Sequence, residues 1–288
     1  MTSLIAAFFA ALYLAFPSAL IECLRMLHFV FPASPLDLRS IEPDFERQGH
    51  ALAEAGFSTS LISDGTFDSG ATLVRVPGES TVVYRGWMVD PLQYERFAGA
   101  VTATGASLLT SAAAYRRTHY LPEWYPLLRD LTPETVIVPP DADLERELVR
   151  LGWGEFFIKD YVKSLKTAPG PIVRDPSEAK PLVEAMLRYR GTIEGGFCVR
   201  RLEHFVPGGE KRFFVLDQRP AGAEGDAVPD IVRVVAERIE SRFYSVDIAQ
   251  NEHGTWRVVE IGDGQVSDPV GWSESAFVGF WRSAGFKE

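Results

Sequence analysis

Five ionisable residues lie within apolar stretches that the sequence predicts as strands. Two are carboxylates, Asp247 in YSVDIAQ and Glu260 in WRVVEIGDG, and three are cations, Lys159 in FFIKDYV, Arg200 in FCVRRLE and Arg212 in EKRFFVL. Charges are rarely buried unless they are paired. A solvated sheet face is the simpler interpretation for any single residue. Five such residues in five strands predict instead a polyanionic ligand and a cation held over a sheet.

The two carboxylates form the clearest pair. Asp247 and Glu260 lie on strands predicted to form a hairpin, with the turn near Asn251–Gly254. Such a turn brings the two side chains to the same face of the sheet. Like charges at that spacing repel unless a cation lies between them, and Mg²⁺ binds one or two carboxylates together with phosphate oxygens. Asp263, in the Gly-Asp-Gly segment that follows, is predicted as a third oxygen ligand.

Two other interpretations of the carboxylates stay open. A general acid–base pair of the glycosidase type would leave the three strand cations without a role. In a purely structural interpretation, Asp247 pairs with Arg242 or Arg257 at the surface.

The elements that position these residues follow from the hydrophobic periodicity. In the first half, short apolar runs alternate with helical patterns, which predicts an α/β unit with a mainly parallel sheet that ends near Ser111. Its predicted strands are 27–31, 57–62, 81–84 and 106–109, and its predicted helices are 44–55 and 91–103.

The second half has more strands, and they carry the charged residues. The predicted strands are 136–138, 156–163, 196–203, 211–216, 244–250 and 256–261, and the predicted helices are 112–131 with a break at Pro122, 143–151, 176–190 and 229–242. A strand over 156–163 would place Lys159, Tyr161 and Lys163 on one face.

Length and charge bound the class of protein. The chain has 288 residues, which suggests two domains or one large one, and its 24% charged and 46% hydrophobic residues exclude a disordered chain, a collagen and a multi-span membrane protein. The net charge of −10 argues against non-specific duplex binding. The only cysteines, Cys23 and Cys198, exclude a disulfide framework, and we expect a cytoplasmic protein.

The first 25 residues are treated apart from the fold. Leu4–Ile21 is an uncharged run of 18 residues, at the lower limit for crossing a bilayer, and Pro17 and Ser18 interrupt it. A signal peptide would need a positive segment that is absent ahead of this run. We interpret residues 1–25 as an extension ahead of a start at Met26, with a membrane anchor as the alternative, and we expect membrane contact only in the second case.

The second half resembles the ATP-grasp superfamily, and more narrowly a clade of largely uncharacterised ATP-grasp proteins of bacteria and phages. FPASPLDLRSIEPDFE and VVYRGWM in the first half resemble the same clade. The resemblance implies a pre-ATP-grasp α/β domain over 26–111 and a two-lobed ATP-grasp domain over 112–288 that holds nucleotide between its sheets. Its blocks run in family order: HYLPEWYPLLRDLTPETV, WGEFFIKDYVKSLK, GGFCVRRLEHF, EKRFFVLDQRP, SVDIAQ and WRVVEIGDGQVSD.

The resemblance also implies residue roles toward the phosphates and the metal. Lys159 matches the lysine that contacts the nucleotide phosphates, with Lys163 as a second candidate. Arg212 matches a strand arginine that faces the triphosphate, so Lys159 and Arg212 are the implied catalytic residues. Asp247 and Glu260 match the two acidic metal ligands.

Further implied contacts concern the nucleoside. Phe197, Cys198 and Val199 match the segment whose backbone meets adenine. Arg200 follows them, and the carboxylate of Glu203 is expected on the ribose hydroxyls.

The sequence departs from the family at two places. The usual Asn two residues after the second metal ligand is Gly262 here, with Asp263 next. Pro207–Gly209 is the only candidate for the glycine-rich phosphate loop.

The implied function is that of an ATP-dependent ligase with Mg²⁺, or Mn²⁺ in its place. It joins a carboxylate to an amine or thiol acceptor through an acyl phosphate. An alternative is a nucleotide-binding sensor or interaction module without ligase turnover. A third hypothesis, modification of an RNA or protein end, rests on five basic residues, and the net charge disfavours it. These residues are Arg116, Arg117, Lys159, Lys163 and Lys166.

Overall fold

The computed structural model describes residues 26–63, 65–69, 75–224 and 226–284, and these form two units. The first unit contains the described residues up to Ser111 and those after Gly271, and the second contains Ala112–Gly271. The predicted extension or anchor at residues 1–25 lies outside the described residues. Every helix in the described part of the chain is too short or too polar to cross a bilayer.

The first unit is built on a four-stranded parallel sheet in the order β2-β1-β3-β4, as the alternation of strands and helices predicts. All six residues of β1 are buried, which explains its continuous apolar run. Asp90 begins the long helix through a capping box with Gln93. The elements are β1 Leu27–Pro32, α1 Pro43–Glu54, β2 Ser58–Ile62, α2 Gly65–Ser69, β3 Thr81–Tyr84, α3 Pro91–Ala103 and β4 Ser107–Leu108.

The second unit contains two four-stranded antiparallel sheets. We call them the β8 sheet, in the order β5-β8-β6-β7, and the β11 sheet, in the order β10-β9-β11-β12. The elements are α4 Ala112–His119, α5 Leu121–Leu128, β5 Thr135–Val138, α6 Leu144–Leu151, β6 Phe156–Asp160, β7 Ile172–Val173, α7 Ala179–Arg190, β8 Phe197–Arg201, β9 Lys211–Leu216, β10 Arg219–Gly222, α8 Asp230–Arg238, β11 Phe243–Gln250 and β12 Trp256–Asp263.

The last helix, α9 Glu274–Ser283, belongs to the first unit and not to the domain that the sequence predicted for it. The prediction assigned residues 112–288 to one domain, whereas residues from Trp272 onward cluster with the first unit. The reason is the aromatic face of α9, where the buried Trp281 packs edge-on against Phe29 of β1 with ring centroids 5.1 Å apart.

β6 is shorter than predicted because Asp160 ends it. The Asp160 carboxylate accepts hydrogen bonds from the backbone N–H groups of Val162, at 2.9 Å, and Lys163, at 2.6 Å. This side-chain turn takes the backbone out of the extended conformation. Lys163 therefore lies in an exposed turn, and the prediction that it shares a strand face with Lys159 is wrong.

The β11–β12 hairpin has the predicted turn. The Asn251 carbonyl accepts a hydrogen bond from Gly254 N–H, and Gly254 has a φ of +76°, which favours glycine. The register pairs Asp247 directly with Glu260, and a β-bulge follows between Asp247 and Ile248. The hairpin thus sets the two carboxylates opposite each other across neighbouring strands.

Candidate functional site

A row of three charged side chains crosses the β11 sheet. Arg212 of β9, Asp247 of β11 and Glu260 of β12 occupy directly paired register positions, so they share one face. Arg212 Nε and Nη2 donate to Asp247 Oδ1 and Oδ2 at 2.7 and 2.6 Å, a bidentate ion pair, and Nη1 donates to the Asp268 carbonyl at 2.9 Å. The geometry therefore brings both carboxylates and one predicted cation together.

A second cation reaches this row from the other sheet. Lys159 extends from β6 of the β8 sheet, and its Nζ donates to Glu260 Oε1 at 2.5 Å. The Lys159 side chain is buried, whereas that of Glu260 is 40% exposed. The four residues Lys159, Arg212, Asp247 and Glu260 are called the charged quartet below.

The protonation of the quartet follows from burial and pairing. Burial raises the pKa of Asp247, and the hydrogen bonds and charge of Arg212 only partly oppose this. Burial also acts against ionisation of Glu260, but the ammonium of Lys159, helped by Arg200 and Arg212, outweighs it and lowers the pKa of Glu260. Pairing thus favours the ionised form of Glu260, whereas burial disfavours the ionised form of Asp247.

Asp263, predicted as a third oxygen ligand, does not join the quartet. Side chains alternate along β12, so a residue three positions after Glu260 faces the opposite side. Asp263 is fully buried, where its Oδ2 accepts from Thr118 Oγ1 and its Oδ1 accepts from Gln265 N–H, both at 3.1 Å. Among the described residues no group of three His, Cys, Asp or Glu side chains is arranged to hold a metal ion.

Gly262 lies on the quartet's face of β12, two register pairs further along the hairpin. A Cβ atom added there would lie 2.7 Å from Ser267 Oγ and 2.8 Å from Ser245 Oγ. These two hydroxyls are hydrogen bonded to each other at 2.8 Å. They occupy the space that a side chain at position 262 would need, so the Asn of the family pattern would require these hydroxyls to move.

The predicted adenine segment is placed differently from the expectation. Phe197–Val199 lies in a strand with neighbours on both sides, and Val199, for example, pairs with both Val136 and Ile158. The sheet ladders therefore use the backbone groups of this segment, to which the prediction assigned contacts with adenine. Cys198 is fully buried, and burial raises the pKa of its thiol to about 12, so it is an unreactive apolar side chain.

A cavity of about 400 Å³ lies where β8 ends. The predicted ribose ligand Glu203 lines it, and its carboxylate is held by Arg257 through two hydrogen bonds of 2.8 and 2.9 Å. The cavity thus combines charged and apolar surface. Its lining residues are Tyr125, Arg129, Thr132, Glu134, Arg201, Leu202, Glu203 and Arg257.

Arg200 connects the two sheets rather than facing open solvent. Its Nη1 donates to the Val259 carbonyl of β12 at 2.8 Å, and its Nη2 donates to Thr132 Oγ1 at 2.6 Å. Its Nε is buried without a hydrogen-bond partner among the described residues, and burial lowers the pKa of the guanidinium group. Arg200 therefore positions the strand that carries Glu260.

Two residues near the quartet were missed by the sequence analysis. Glu210 precedes Arg212 by two positions. Burial and the charges of Asp247 and Glu260 raise its pKa, and the positive charges of Arg212 and Lys166 only partly oppose this. The sequence feature that could have identified Glu210 is its position two residues before Arg212 in EKR. Asp160 is fully buried and pairs with Arg190 Nη2 at 2.6 Å, so it fixes the turn that follows Lys159. The end of the apolar run at FFIKD gave no indication of that pairing.

His119 also lies near the quartet. Its ring stacks on Tyr115 with centroids 4.9 Å apart, and its pKa is lowered to about 4 by burial and by the charges of Lys163 and Lys159. From the sequence, where it lies beside Tyr120 and Trp124, His119 is predicted to be a packing or substrate-pocket residue and not a catalytic one.

The part of the chain that carries the quartet matches a known family. Residues 150–280 match a family model described as an ATP-grasp domain, the third family of its clade. All four residues of the quartet lie inside the matched range. A search of curated protein sequences finds no match.

Solved structures match over nearly the whole chain. D-cycloserine synthetase DcsG is 17% identical, covering 90% of this chain and 98% of its own, with a TM-score of 0.63. The ATP-grasp ligase PsnB, in complex with a minimal precursor, Mg and ADP, is 15% identical over 89% and 96% of the two chains, with a TM-score of 0.55. The D-alanine-D-alanine ligase from Coxiella burnetii is 14% identical over 84% and 87%, with a TM-score of 0.56. The predicted α/β class and the resemblance to the ATP-grasp superfamily are thus confirmed.

Proposed function

We propose that this ATP-grasp protein is a ligase that uses ATP and Mg²⁺, or Mn²⁺ in its place, to join a carboxylate to an amine or thiol through an acyl phosphate. The observation that supports the proposal is the charged quartet. It places two cations and two carboxylates within direct contact at the meeting of two sheets in the second unit.

The carboxylates of the quartet fit a magnesium ion. Asp247 and Glu260 are hard oxygen donors on directly opposed positions, and Mg²⁺ in nucleotide sites uses one or two carboxylates with phosphate oxygens and water. Asp247 and Glu260 would hold the metal, which neutralises charge on the phosphates when it is bound. The absence of Asp263 from this face is compatible with a set of two protein ligands.

The cations of the quartet fit the phosphates. Lys159 and Arg212 each have a carboxylate partner inside the protein, so neither is a charge left uncompensated. A triphosphate can replace the carboxylates as the partner of the two cations, and a divalent cation can replace the cations as the partner of the two carboxylates. Every buried charge then stays paired before and after binding, which avoids the penalty for isolating one.

We assign the nucleoside to the cavity at the end of β8 in place of Phe197–Val199. Its volume of about 400 Å³ lies in the range of small-molecule sites. Leu202 follows the last strand residue, and Glu203 is fixed by Arg257 as an acceptor for ribose hydroxyls. Arg200 of β8 donates to the Val259 carbonyl, next to Glu260, and so connects the strand that ends at this cavity with a strand that carries the quartet.

The chemistry needs no nucleophilic side chain. A carboxylate oxygen of the substrate attacks the γ-phosphorus and ADP leaves, which gives an acyl phosphate. The acceptor then attacks the acyl carbon and phosphate leaves. The protein contributes orientation and charge neutralisation, which is what the quartet offers. The similar structures include a synthetase and two ligases, one of them in complex with Mg and ADP, and this favours the same class of reaction here.

The test is turnover with a defined mixture. The full chain is incubated with ATP, Mg²⁺, the twenty amino acids and a set of short peptides, and ADP and mass gain are measured. Asp247→Asn removes one metal ligand and should abolish ADP formation, whereas Asp217→Asn, in a surface pair with Arg242, should not. Failure of the parent protein to bind ATP in the presence of Mg²⁺ by calorimetry would refute the proposal.

The second candidate is a nucleotide-binding module without turnover. The observation in its favour is the face of β12 beside Glu260, where Gly262 provides no ligand side chain and Asp263 points away. This candidate predicts tight Mg²⁺-dependent binding of ATP with no ADP formed in the same mixture.

A further inference from the structure

A β-bulge lies directly beside Glu260, the proposed metal ligand on β12. Glu260 and Val258 each pair with a residue of β11, whereas Val259 between them is the extra residue and has no Cα partner in that strand. An extra residue of this kind interrupts the sheet ladder and changes the direction of the side chains next to it. The position of the Glu260 carboxylate therefore depends on what holds the backbone of the bulge.

Two side chains hold the carbonyl groups of the bulge. Arg200 Nη1 donates to the Val259 carbonyl at 2.8 Å, and Thr132 Oγ1 donates to the Val258 carbonyl at 2.7 Å. The two side chains are also bonded to each other, because Arg200 Nη2 donates to Thr132 Oγ1 at 2.6 Å. We call Arg200 and Thr132 the bulge clamp. The clamp fixes the backbone on the side of Glu260 that leads to the turn of the hairpin.

The charge of the clamp lies in an unfavourable place for stability alone. Arg200 is 6% exposed, and its Nε has no hydrogen-bond partner among the described residues. Burial of a charged group with an unpaired donor costs free energy. Replacing buried charged groups with well-packed apolar side chains is often neutral or stabilising, so the packing of the two sheets does not require a guanidinium group here. This favours a role of Arg200 in the site.

The clamp also reaches the cavity at the end of β8. Thr132 lines this cavity, and its backbone carbonyl accepts a hydrogen bond from Arg257 Nη2 at 2.7 Å. Arg257 lines the cavity as well and holds the carboxylate of Glu203. A ligand that fills the cavity therefore meets one member of the clamp directly and the other through a single hydrogen bond.

We propose that the bulge clamp makes the binding of the nucleoside and of the metal–phosphate group cooperative. The inference rests on the proposed function, and it adds Arg200 and Thr132 as positioning residues for Glu260. A nucleoside in the cavity restricts Thr132, and the clamp then restricts the bulge and with it Glu260. Less ordering remains when the metal–phosphate group binds, so its affinity rises. Linkage requires that the metal–phosphate group raises the affinity for the nucleoside by the same factor.

A purely electrostatic role of Arg200 is the competing assignment. Its charge helps to lower the pKa of Glu260, although Lys159 has the larger effect. An effect of charge alone depends neither on the Thr132 hydroxyl nor on a nucleoside in the cavity. Replacement of Thr132 therefore distinguishes positioning from charge, because it leaves every charged group in place.

The two parts of ATP serve as separate probes in the test. The affinity of the full chain for adenosine is measured by calorimetry with and without saturating Mg²⁺ and inorganic tripolyphosphate. We expect the metal and tripolyphosphate together to raise the affinity of the parent protein for adenosine by at least about fivefold, the lower end of the usual coupling between sites. Tripolyphosphate without Mg²⁺ should raise it less, because Glu260 acts through the metal.

Variants of the clamp show whether the increase depends on it. Thr132→Val removes the hydroxyl at nearly constant volume, and we expect the increase to fall below about twofold. Thr132→Ser keeps the hydroxyl and should keep the increase. Thr135→Val is the matched control, because Thr135 is also buried but donates to the Pro133 carbonyl. The ratio of the two adenosine affinities is insensitive to a general loss of adenosine binding, so it reports the coupling itself.

The possible results separate this inference from the function on which it rests. A parent protein that binds MgATP but shows no increase would overturn the inference, as would an increase that Thr132→Val retains or that Thr135→Val loses equally. A parent protein that does not bind MgATP overturns the proposed function instead.

Discussion

Replacement of Arg212 by methionine separates a phosphate-binding cation from a surface charge. Methionine keeps much of the buried stem and removes the guanidinium group. A charge-assisted hydrogen bond contributes about 1.5–3 kcal/mol, and each 1.4 kcal/mol is tenfold in affinity. Because Arg212 must give up its bidentate bond to Asp247 when it binds phosphate, we expect the lower part of this range, a loss of about 10- to 30-fold for ATP.

The same replacement also affects the metal ligand. Asp247 is buried and its pKa is already raised by burial, with Arg212 as the opposing cation. Without Arg212 the pKa of Asp247 rises further, and the protonated carboxyl is a poor ligand for Mg²⁺. In Arg212→Met, ATP affinity should therefore increase as the pH is raised through the new pKa of Asp247. The parent protein should show a smaller increase.

Calorimetric titration with ATP and with adenosine, both in Mg²⁺, is the measurement. Lys159→Met is expected to weaken ATP by at least about tenfold, since Lys159 meets the phosphates in the same way. Adenosine should bind all variants equally, because it lacks the phosphates. Arg219→Met, at an exposed cation of β10, is the control and should change neither ligand. Equal weakening of ATP and adenosine would indicate misfolding, and no weakening of ATP would refute the assignment of these cations.

Three further predictions concern the structure itself. Gly195→Ala should lower the free energy of unfolding in urea by roughly 3 kcal/mol or more, because φ is +74° and the new Cβ overlaps the Tyr161 ring. Gly154→Ala, where a Cβ meets open space, is the control and should change the free energy of unfolding by less than about 0.5 kcal/mol. Burial lowers the pKa of His28 to about 4, so the stability it contributes is present above pH 6.5 and is lost as the pH falls toward 4. Titration of unfolding should show roughly 2 kcal/mol lost between pH 6.5 and 5, and His28→Gln should remove that slope. Trp281→Ala should cost about 3–5 kcal/mol and reduce hydrogen-exchange protection in β1–β3 but not in β11; loss in β11 alone would contradict the assignment of α9 to the first unit.

Local patterns were sufficient for the parts of the fold that depend on local chemistry. The alternation of apolar runs and helical periods predicted the parallel sheet of the first unit, and α3 begins at Pro91 and ends at Ala103 as predicted. The turn at Asn251–Gly254 set the register of the hairpin, and with it the opposition of Asp247 and Glu260. Residues within one hairpin are related by a short, regular geometry, so the sequence was enough to place this pair.

Side-chain turns and long-range contacts were beyond such patterns. Lys163 lies outside the strand because the Asp160 carboxylate accepts a hydrogen bond from the Lys163 N–H and forms a turn. The ion pair between Asp160 and Arg190 holds that carboxylate in place. The contact of Lys159 with Glu260 joins residues 101 positions apart in different sheets, and no periodicity encodes it. The sequence could state that both are charges in apolar strands but not which partner each one meets.

The partners now explain why charges in these strands are tolerated. Lys159 pairs with Glu260 and Arg212 pairs with Asp247, so the quartet has two positive and two negative partners, each hydrogen bonded within the protein. ATP alone would meet cations already bound by carboxylates, and Mg²⁺ alone would meet carboxylates already bound by cations. Each ligand supplies what the other displaces, so their binding should be mutually dependent. Because the charged side chains are already paired with each other, the proposed site should bind the metal–nucleotide complex more tightly than either component alone.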